Sequence, residues 1–517
     1  MTLSVRSRLA LRTAVAALLL PSLLAAGQAT ASAATSAPGG GTVLPAAVDV
    51  AQTADDARHP LQLKVTGRRP DGSPLLVSTT PGGYTPAQVR AYLGLTGTGA
   101  GQTIAVVTAY DAPNAASDLA TFNATFGLPA PPSFRKVNQS GGTKLPTVNA
   151  GWALEAALDL QWAHAVAPGA ALLLVEASSS ALTNLLAGVS WAAAQPGVSV
   201  VSGSFGTTEF SRQGDQDSRC KLTTGLCVFA SGDRGNPGTY PATNPWALGV
   251  GGTTLQLDAT GTVTTETAWS GSGGGVSLFA PKPGYQTGVT TAARRTSPDV
   301  AYDGDPATGF PVYSSTAYDG QSGWFQMGGT SAGAPQWAGV LAAANQLRKG
   351  VGKGVLASAT STGATPFHTA LYAKRPVADI SAGTNGTCGA LCTAGTGYDA
   401  VTGLGSPRLG VDVALRDLSS TRPQRIGRRT PAGGGAVGAC GSRAVTGPSP
   451  PVAHERRVHR TGRSGAAGTP REPEEHDMSK DKGGRAAKKP KADKNAKTSG
   501  QTPAPGSGAV TATTKKQ

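Results

Sequence analysis

Short apolar runs alternate with Ala- and Leu-rich stretches through the middle of the chain. Three runs, at residues 103–107, 171–175 and 198–201, have the Val, Leu and Ile content of strands buried on both faces of a parallel sheet. The stretches 115–126, 152–166 and 181–194 have helical patterns, and another helix is expected over 334–347. This alternation predicts an α/β fold. A region of about 340 residues can bury one large core, so we expect a single domain.

The stretch 152–166 carries two acids within an apolar helix. Glu155 and Asp159 stand four positions apart, which places them on one face, one turn apart. Two carboxyls can share such a face if one stays protonated and hydrogen-bonds the other, and the pair then titrates as a unit. An ordinary solvated helix face is the alternative, but the neighbours favour burial, since they are large and apolar: Trp152, Leu154, Leu158, Leu160 and Trp162. A buried pair could act as a general base at acidic pH.

A serine lies among glycines at residues 328–335, which read Gly-Gly-Thr-Ser-Ala-Gly-Ala-Pro. This setting is typical of an acyl-transfer nucleophile, although a tight turn is the alternative. No acid lies between Ser331 and His368, which excludes the α/β-hydrolase order. The order Asp111, His164, Ser331 would suit a subtilisin, but His164 lacks the His-Gly-Thr context and is interpreted as a partly buried helical histidine. His59 precedes the expected enzyme, so the carboxylates are the better bases.

Several separated motifs resemble the sedolisin family of serine-carboxyl peptidases. They are Glu155-x-x-x-Asp159, Ser-Gly-Ser-Phe-Gly at 202–206, Ala-Ser-Gly-Asp-Arg-Gly at 230–235, Trp-Ser-Gly-Ser-Gly-Gly-Gly at 269–275, and Gly-Thr-Ser-Ala-Gly-Ala-Pro at 329–335. The similarity runs from about Tyr84 to about Pro407. It implies a subtilisin-like three-layer fold, with a central, mostly parallel sheet flanked by helices, in which Glu replaces the catalytic His.

The resemblance also implies residue roles. Ser331 is the expected nucleophile, Glu155 the general base and acid, Asp159 its hydrogen-bonded partner, and Asp233 the oxyanion-hole acid. The expected substrate-binding residues are Ser204 and Gly206. Without the resemblance, Asp233 would be interpreted as a turn-forming residue after a strand.

One position departs from the family. Relatives often extend the carboxylate network with an acid in the first strand-to-helix loop, where this chain has Thr108, with Asp111 three residues on. The details of the proton relay therefore do not carry over.

A calcium site is implied downstream of the nucleophile. Calcium needs six or more oxygen ligands, from carboxylates and backbone carbonyls. The family's ligands match, in order and spacing, Asp379, Ile380, Gly395, Gly397 and Asp399. We therefore expect one structural Ca²⁺ ion, with two Asp residues in Gly-rich turns as the alternative.

The N-terminus has the features of a secretory signal. Three arginines precede the apolar stretch 14–26, and Ala31-Ser32-Ala33 offers a cleavage site, so residues 1–33 are the expected signal peptide. No run reaches the roughly eighteen apolar residues of a membrane span. Residues 34–83 are expected to be a short pro-segment or linker, too short for the folded prodomain typical of relatives, and residues 84–418 the peptidase domain. Autoinhibition by a separate domain is not expected.

Five cysteines agree with export. Cys220 with Cys227, and Cys388 with Cys392, form close pairs, while Cys440 stands alone. Close pairs in an exported chain indicate local disulfides, with free thiols as the alternative.

The C-terminal segment has a different composition. Residues 421–517 contain 20 Lys and Arg against 7 Asp and Glu, a net of +13 out of the chain's +15. With few apolar residues, the segment 419–517 is expected to be a disordered basic tail. It has no aromatic residue to stack a base, so we expect no specific nucleic-acid partner.

These features favour a secreted, acid-acting endopeptidase that cleaves protein or peptide substrates through an acyl-enzyme on Ser331. We expect a monomer. A catalytically inactive sedolisin-like binding module on the cell surface is the alternative, although such a relative should have lost at least one of the four catalytic residues. A nucleic-acid-binding function would rest on the tail alone.

Overall fold

The computed structural model describes residues 56–419 and two short strands upstream, Thr35–Ser36 and Thr42–Pro45. The expected signal peptide and basic tail lie outside the described residues. Of the helices in the described part, none combines the length and apolarity that a membrane span requires.

An eight-stranded sheet forms the centre of the fold. Its strands are β1 Thr103–Ala109, β2 Phe134–Asn138, β3 Ala171–Ala177, β4 Val198–Gly203, β5 Leu226–Ala230, β6 Ala247–Leu257, β7 Val263–Ala268 and β8 Val300–Asp303. They lie in the order β7-β6-β5-β4-β1-β3-β2, with β8 also paired to β6. Only the β6–β7 pair is antiparallel among these pairs. The predicted, mostly parallel sheet is confirmed.

Seven α-helices accompany the strands in the described part. They are α1 Pro86–Leu93, α2 Ala115–Phe126, α3 Ala150–Val166, α4 Leu182–Ala193, α5 Thr330–Gly350, α6 Pro366–Lys374 and α7 Val411–Arg416. Short 3₁₀ turns occur at Gln213–Cys220, Gly284–Gln286 and Gly389–Cys392.

Strand β1 shows how the layers arise. Its side chains alternate between two faces. Ile104 and Val106 join the core that contains α3 and α5, whereas Ala105 and Val107 join the core that contains α4. Helices therefore cover both faces of the sheet, which confirms the three-layer architecture.

The helix that carries the serine begins earlier than predicted. It starts at Thr330 rather than residue 334, because the first turn is fully buried and packing outweighs the poor helix propensity of its glycine and proline. The other predicted helices match to within two residues at each end.

A second, antiparallel sheet lies beside the central one. It contains the hairpin Phe310–Tyr318 with Gln321–Gly328, which leads into α5, and the upstream strands Gln62–Lys64 and Val77–Ser78 pair with the latter. Leu61, Leu63 and Leu76 are buried in the same core as α3 and α5. Residues upstream of Tyr84, expected to be a pro-segment or linker, therefore pack into the fold.

Local pairings complete the described structure. Two-stranded sheets join Gly67–Arg68 to Pro74–Leu75, Gly275–Pro281 to Arg294–Ser297, and Val377–Ala378 to Ser406–Pro407. The disulfides Cys220–Cys227 and Cys388–Cys392 are both present, so both predicted pairs are confirmed.

Candidate active site

Helix α3 carries the two acids into the interior. Its first turn is capped by Asn149, whose side-chain oxygen accepts a hydrogen bond from the Trp152 N–H at 3.1 Å. Every residue from Trp152 to Val166 is buried, including Glu155 and Asp159, which are fully enclosed. The helix is apolar on all sides because it lies between the sheet, α5 and the second sheet.

The environment of the two carboxyls favours their protonated forms. Burial raises the pKa of Glu155 well above its ordinary value, and the neighbouring Asp159 raises it further. Burial also raises the pKa of Asp159, to about 8, against a lowering by its hydrogen bond with Ser204. At acidic pH the pair therefore retains at least one proton, as expected for two carboxyls that share a site.

Helix α5 presents Ser331 in its first turn. Gly329 precedes the helix at φ 92°, and an added Cβ there would collide with the Pro60 carbonyl oxygen and Asp233 Oδ2. Ser331 is fully buried. Its hydroxyl interacts with Glu155 and moderates the rise in that pKa, although the two groups do not meet ordinary hydrogen-bond geometry. Catalytic hydrogen bonds are often long before a substrate engages.

Ser204 joins the nucleophile helix to the acids. Pro335 lies four residues after Ser331 and has no N–H, so the helix cannot satisfy the Ser331 carbonyl. The Ser204 Oγ lies 3.3 Å from that carbonyl oxygen and 2.7 Å from Asp159 Oδ1. The Ser204 hydroxyl donates to Asp159 Oδ1, which lowers the pKa of that carboxyl. The Ser204 side chain thus faces the carboxyl network.

Asp233 contacts the first turn of α5 at Thr330. It follows β5, and its Oδ1 accepts hydrogen bonds from the Thr330 N–H and hydroxyl, both at 2.8 Å. Burial raises the pKa of Asp233 to about 7 despite these bonds. Its other oxygen, Oδ2, is buried, and the Gln62 side chain also interacts with this carboxyl and lowers its pKa. Oδ2 also lies close to Gly329, so a proton on it would make a donor next to the first turn of α5.

The upstream chain crosses this site, which the sequence did not indicate. Arg58 and Gly206 exchange two main-chain hydrogen bonds, at 2.8 and 2.9 Å, and the Ser331 N–H points to the Pro60 carbonyl oxygen at 3.4 Å. The main chain of Gly206 therefore binds an extended segment, the role expected of it toward substrate.

His59 is the residue that sequence reasoning placed outside the enzyme. Its Nδ1 lies 3.6 Å from Glu155 Oε2, and its ring packs edge-on against Trp152 with centroids 5.0 Å apart. A lone histidine far upstream gave no signal of this contact, because the contact depends on how residues 56–60 lie across the fold.

Two other polar residues lie apart from the site. Asp111 pairs with Lys136 at 2.6 Å, with Glu176 3.8 Å from the same amine, so Asp111 does not extend the carboxyl pair. His164 is fully buried and its Nε2 lies 2.7 Å from the Pro129 carbonyl oxygen, in keeping with its interpretation as a buried helical histidine.

The predicted calcium ligands come together in two loops. The Gly397 N–H donates to Asp379 Oδ2 at 2.7 Å, and the Gly395 N–H donates to Asp399 Oδ2 at 3.1 Å. Within the described residues, the carbonyl oxygens of Ile380, Gly395 and Gly397 accept no hydrogen bond. Two carboxyls and three free carbonyls fit a calcium ion completed by water. The described region has no cluster of three or more His, Cys, Asp or Glu side chains placed for a metal.

Comparison with known sequences agrees with this geometry. The profile of the Subtilase family matches residues 80–393. Kumamolisin of Bacillus sp. (strain MN-32) is 33% identical over 389 residues, which is 67% of this chain and 65% of kumamolisin. The chain belongs to the subtilase family, within the sedolisins. The family prediction is thereby confirmed.

Other sedolisins are similar over shorter regions. Sedolisin of Pseudomonas sp. (strain 101) is 32% identical over 199 residues, 35% of this chain and 31% of that protein. The chain thus spans less than two thirds of the length of these curated relatives. A solved structure, Pseudomonas sedolisin (serine-carboxyl proteinase) complexed with two molecules of pseudo-iodotyrostatin, matches with a TM-score of 0.56 at 26% identity, covering 65% of this chain and 99% of that one.

Proposed function

We propose that this sedolisin is a secreted endopeptidase that acts at acidic pH, with Ser331 as nucleophile and Glu155 as general base. The observation that carries the proposal is the placement of a fully buried Glu155–Asp159 pair beside a buried serine at a helix start. A carboxyl pair that holds one proton can accept the serine proton and then return it to the leaving amine.

The reaction follows from the positions of the side chains. Ser331 Oγ attacks the substrate carbonyl carbon while its proton passes to Glu155. The Ser331 N–H and a protonated Asp233 donate hydrogen bonds to the oxyanion that forms. Glu155 then protonates the departing amine, and water attacks the acyl-enzyme by the same proton path in reverse. Asp159, which accepts a hydrogen bond from Ser204 at 2.7 Å, raises the pKa of Glu155, so that the pair can hold one proton between its two carboxyls.

His59 does not take the place of Glu155 in this proposal. Its contacts run to Glu155 and Trp152, and the segment that carries it occupies the cleft where a substrate would bind. We therefore expect His59→Ala to retain hydrolysis of added substrates, whereas Glu155→Ala abolishes it.

We further propose that one calcium ion stabilises the domain, with Asp379, Ile380, Gly395, Gly397 and Asp399 holding it. The free carbonyl oxygens of the two loops support this assignment. Protein and peptide chains are the proposed substrates. Two disulfides within the domain support an extracellular location.

The test is hydrolysis of an unfolded protein between pH 3 and 9, with Ser331→Ala as the matched control. We expect hydrolysis to be fastest at acidic pH and to decline as the pH passes about 7, because Asp233, whose pKa is raised to about 7, must hold a proton. We also expect a loss of at least roughly 10³-fold in the serine variant. A peak between pH 7 and 9 would contradict the role of the acids. A folded wild-type chain that hydrolyses nothing at any pH would favour the inactive binding module.

A further inference from the structure

Asp233 lies in a short loop that a glycine-rich neighbouring loop holds at both ends. The Gly273 N–H donates to the Gly232 carbonyl oxygen at 2.7 Å, on one side of Asp233. On the other side, the Gly235 N–H donates to the Gly271 carbonyl oxygen at 3.0 Å. The place of the Asp233 carboxyl therefore depends on how firmly the neighbouring loop is itself held.

Asn385 holds both of these loops. Its side-chain Nδ2 donates to the Ser272 carbonyl oxygen at 2.8 Å, in the middle of the neighbouring loop, residues 271–273. Its own carbonyl oxygen accepts from the Asn236 N–H at 3.2 Å, just after the loop that carries Asp233. Only 3% of Asn385 is exposed, so a buried partner is left unpaired if either bond is lost. One residue thus fixes the two loops relative to each other.

Gly235 shows how closely the main chain of Asn385 approaches the loop of Asp233. Gly235 has φ 70°, and an added Cβ there would lie 2.2 Å from the Asn385 carbonyl oxygen. Any side chain at this position would have to push Asn385 away. Only glycine fits between Asn385 and the loop, so a displacement of Asn385 is felt directly at the loop.

A hairpin closed by a disulfide holds Asn385 in place. The Asn385 N–H donates to the Cys392 carbonyl oxygen at 3.0 Å, across the hairpin. The Cys388–Cys392 disulfide closes the tip of the hairpin. Residues 386–391 are exposed, so few buried contacts order the tip. The covalent bond restricts the tip instead.

We propose that Asn385 is a positioning residue for Asp233, and that the Cys388–Cys392 disulfide keeps Asn385 in position. This proposal rests on the proposed peptidase function, in which a protonated Asp233 donates to the oxyanion. Such a donor stabilises the oxyanion only when it is held at hydrogen-bond distance from the place where the charge forms. Asn385 sets that distance without touching the substrate, through the loops on either side of Asp233.

Loss of the Asn385 side chain should affect the transition state more than substrate binding. Asn385→Ala removes the bond to Ser272, so the loop of Asp233 can shift. The oxyanion is absent from the bound substrate, so we expect kcat to fall about tenfold or more while KM stays within about twofold. This loss is part of the roughly 10²- to 10³-fold that one oxyanion donor contributes.

The test is a double-mutant cycle with Asp233→Ala, measured on a peptide substrate at pH 4. If Asn385 acts through Asp233, Asn385→Ala should lower kcat by no more than about twofold in the Asp233→Ala background. A fraction of misfolded chains would instead lower kcat by the same factor in both backgrounds. An equal loss in both backgrounds would therefore overturn the proposal, as would a wild-type kcat in Asn385→Ala.

Asn345→Ala is the matched control for a lost buried asparagine. The Asn345 side-chain oxygen accepts from the Leu356 N–H at 2.8 Å, and the residue is fully buried. It lies on α5 about 21 Å along the helix from Ser331. Asn345→Ala should change kcat by the same factor in both backgrounds. A coupling to Asp233 as large as that of Asn385 would overturn the specific role of Asn385.

The disulfide provides a second measurement, which also serves if Asn385→Ala does not fold. Cys388→Ser combined with Cys392→Ser should lower kcat about threefold or more with KM unchanged, and by less in the Asp233→Ala background. Equal losses in both backgrounds, or a wild-type kcat, would overturn the role of the disulfide.

Failure of this proposal and failure of the peptidase function give different results. A wild-type chain that hydrolyses the peptide, with equal losses from Asn385→Ala in both backgrounds, overturns the positioning role and leaves the peptidase function standing. If Asp233→Ala is as active as wild type, the oxyanion role of Asp233 fails, and the positioning role fails with it. If the folded wild-type chain hydrolyses no peptide at any pH, the peptidase function itself fails.

Discussion

At the scale of single residues, the role proposed for Asp233 depends on whether its carboxyl holds a proton. Asp233 must hold a proton to act, because an ionised carboxylate would repel the oxyanion. Burial raises its pKa to about 7, and its Oδ1 is already committed to Thr330. The proton therefore belongs on Oδ2, which faces the Ser331 turn.

Asparagine should replace Asp233 better than alanine does. In Asp233→Asn the amide oxygen can still accept from Thr330, and the amide nitrogen donates from the position of Oδ2 without ionising. We expect Asp233→Asn to keep at least about tenfold more kcat/KM than Asp233→Ala. It should also extend activity above about pH 7, where wild-type Asp233 loses its proton, unless Glu155 already sets the alkaline limb of the pH profile. The measurement is a pH–rate profile of both variants.

Equal losses in the two Asp233 variants, on chains that melt at the wild-type temperature, would show that Asp233 is only a structural turn residue. That outcome would also leave the Ser331 N–H as the sole oxyanion donor identified in the described region.

At the scale of elements, the chain upstream of Tyr84 behaves as part of the domain. Leu63 is 1% exposed and packs in the core that holds α3 and α5. Leu63→Ala should lower the free energy of unfolding by about 2–5 kcal/mol, as large-to-small changes in cores do. Urea denaturation measures it.

Leu409 provides the matched control, because it is 74% exposed. Leu409→Ala should change the free energy of unfolding by no more than about 0.5 kcal/mol. Similar small effects for both leucines would mean that the upstream strands do not share the core in solution.

The two calcium loops allow a second prediction for an element. Calcium should raise the melting temperature of the wild-type chain by binding the folded state, and Asp379→Ala should cancel the rise. Asp215→Ala is the control, since Asp215 is an exposed acid paired with Arg212 away from these loops. A wild-type melting curve that is the same with calcium and with chelator would mean that no such site exists.

The sequence predicted the elements that have strong patterns and missed those that depend on distant packing. The apolar runs in the sequence predicted strands β1, β3 and β4. The four-residue spacing of Glu155 and Asp159 indicated that both lie on one buried face of a helix. The early start of α5 was missed because glycine and proline suggest a turn there. The placement of His59 was missed because nothing local indicates that residues 56–60 cross the cleft.

At the scale of the whole molecule, buried acids should tie stability to acidic pH. Burial raises the pKa values of Asp159 and Glu176 to about 8, of Asp233 to about 7 and of Asp217 to about 6. In the unfolded chain these groups release their protons near pH 4. Above that pH the folded state binds more protons than the unfolded state, so stability falls as pH rises.

Two buried histidines, His368 and His164, act in the other direction, since burial lowers the pKa of each. Burial lowers the pKa of His368 to about 4, so between pH 4 and its ordinary value of 6.5 the unfolded state binds that proton more readily. This contribution makes stability rise with pH, but only up to about pH 6.5. The combined shifts of the four acids are larger, and above pH 6.5 nothing from His368 opposes them.

We therefore expect the melting temperature to fall between pH 4 and 8, most clearly above pH 6.5, at constant calcium concentration. Asp159→Asn should flatten this dependence, since it removes a group whose stabilising effect disappears as pH passes about 8. Serine must be absent from position 331 in these chains, as in Ser331→Ala, so that proteolysis does not distort the curves. The melting temperature is measured by calorimetry at pH 4, 6.5 and 8. A melting temperature that rises steadily over this range would show that the buried carboxyls ionise in the folded protein.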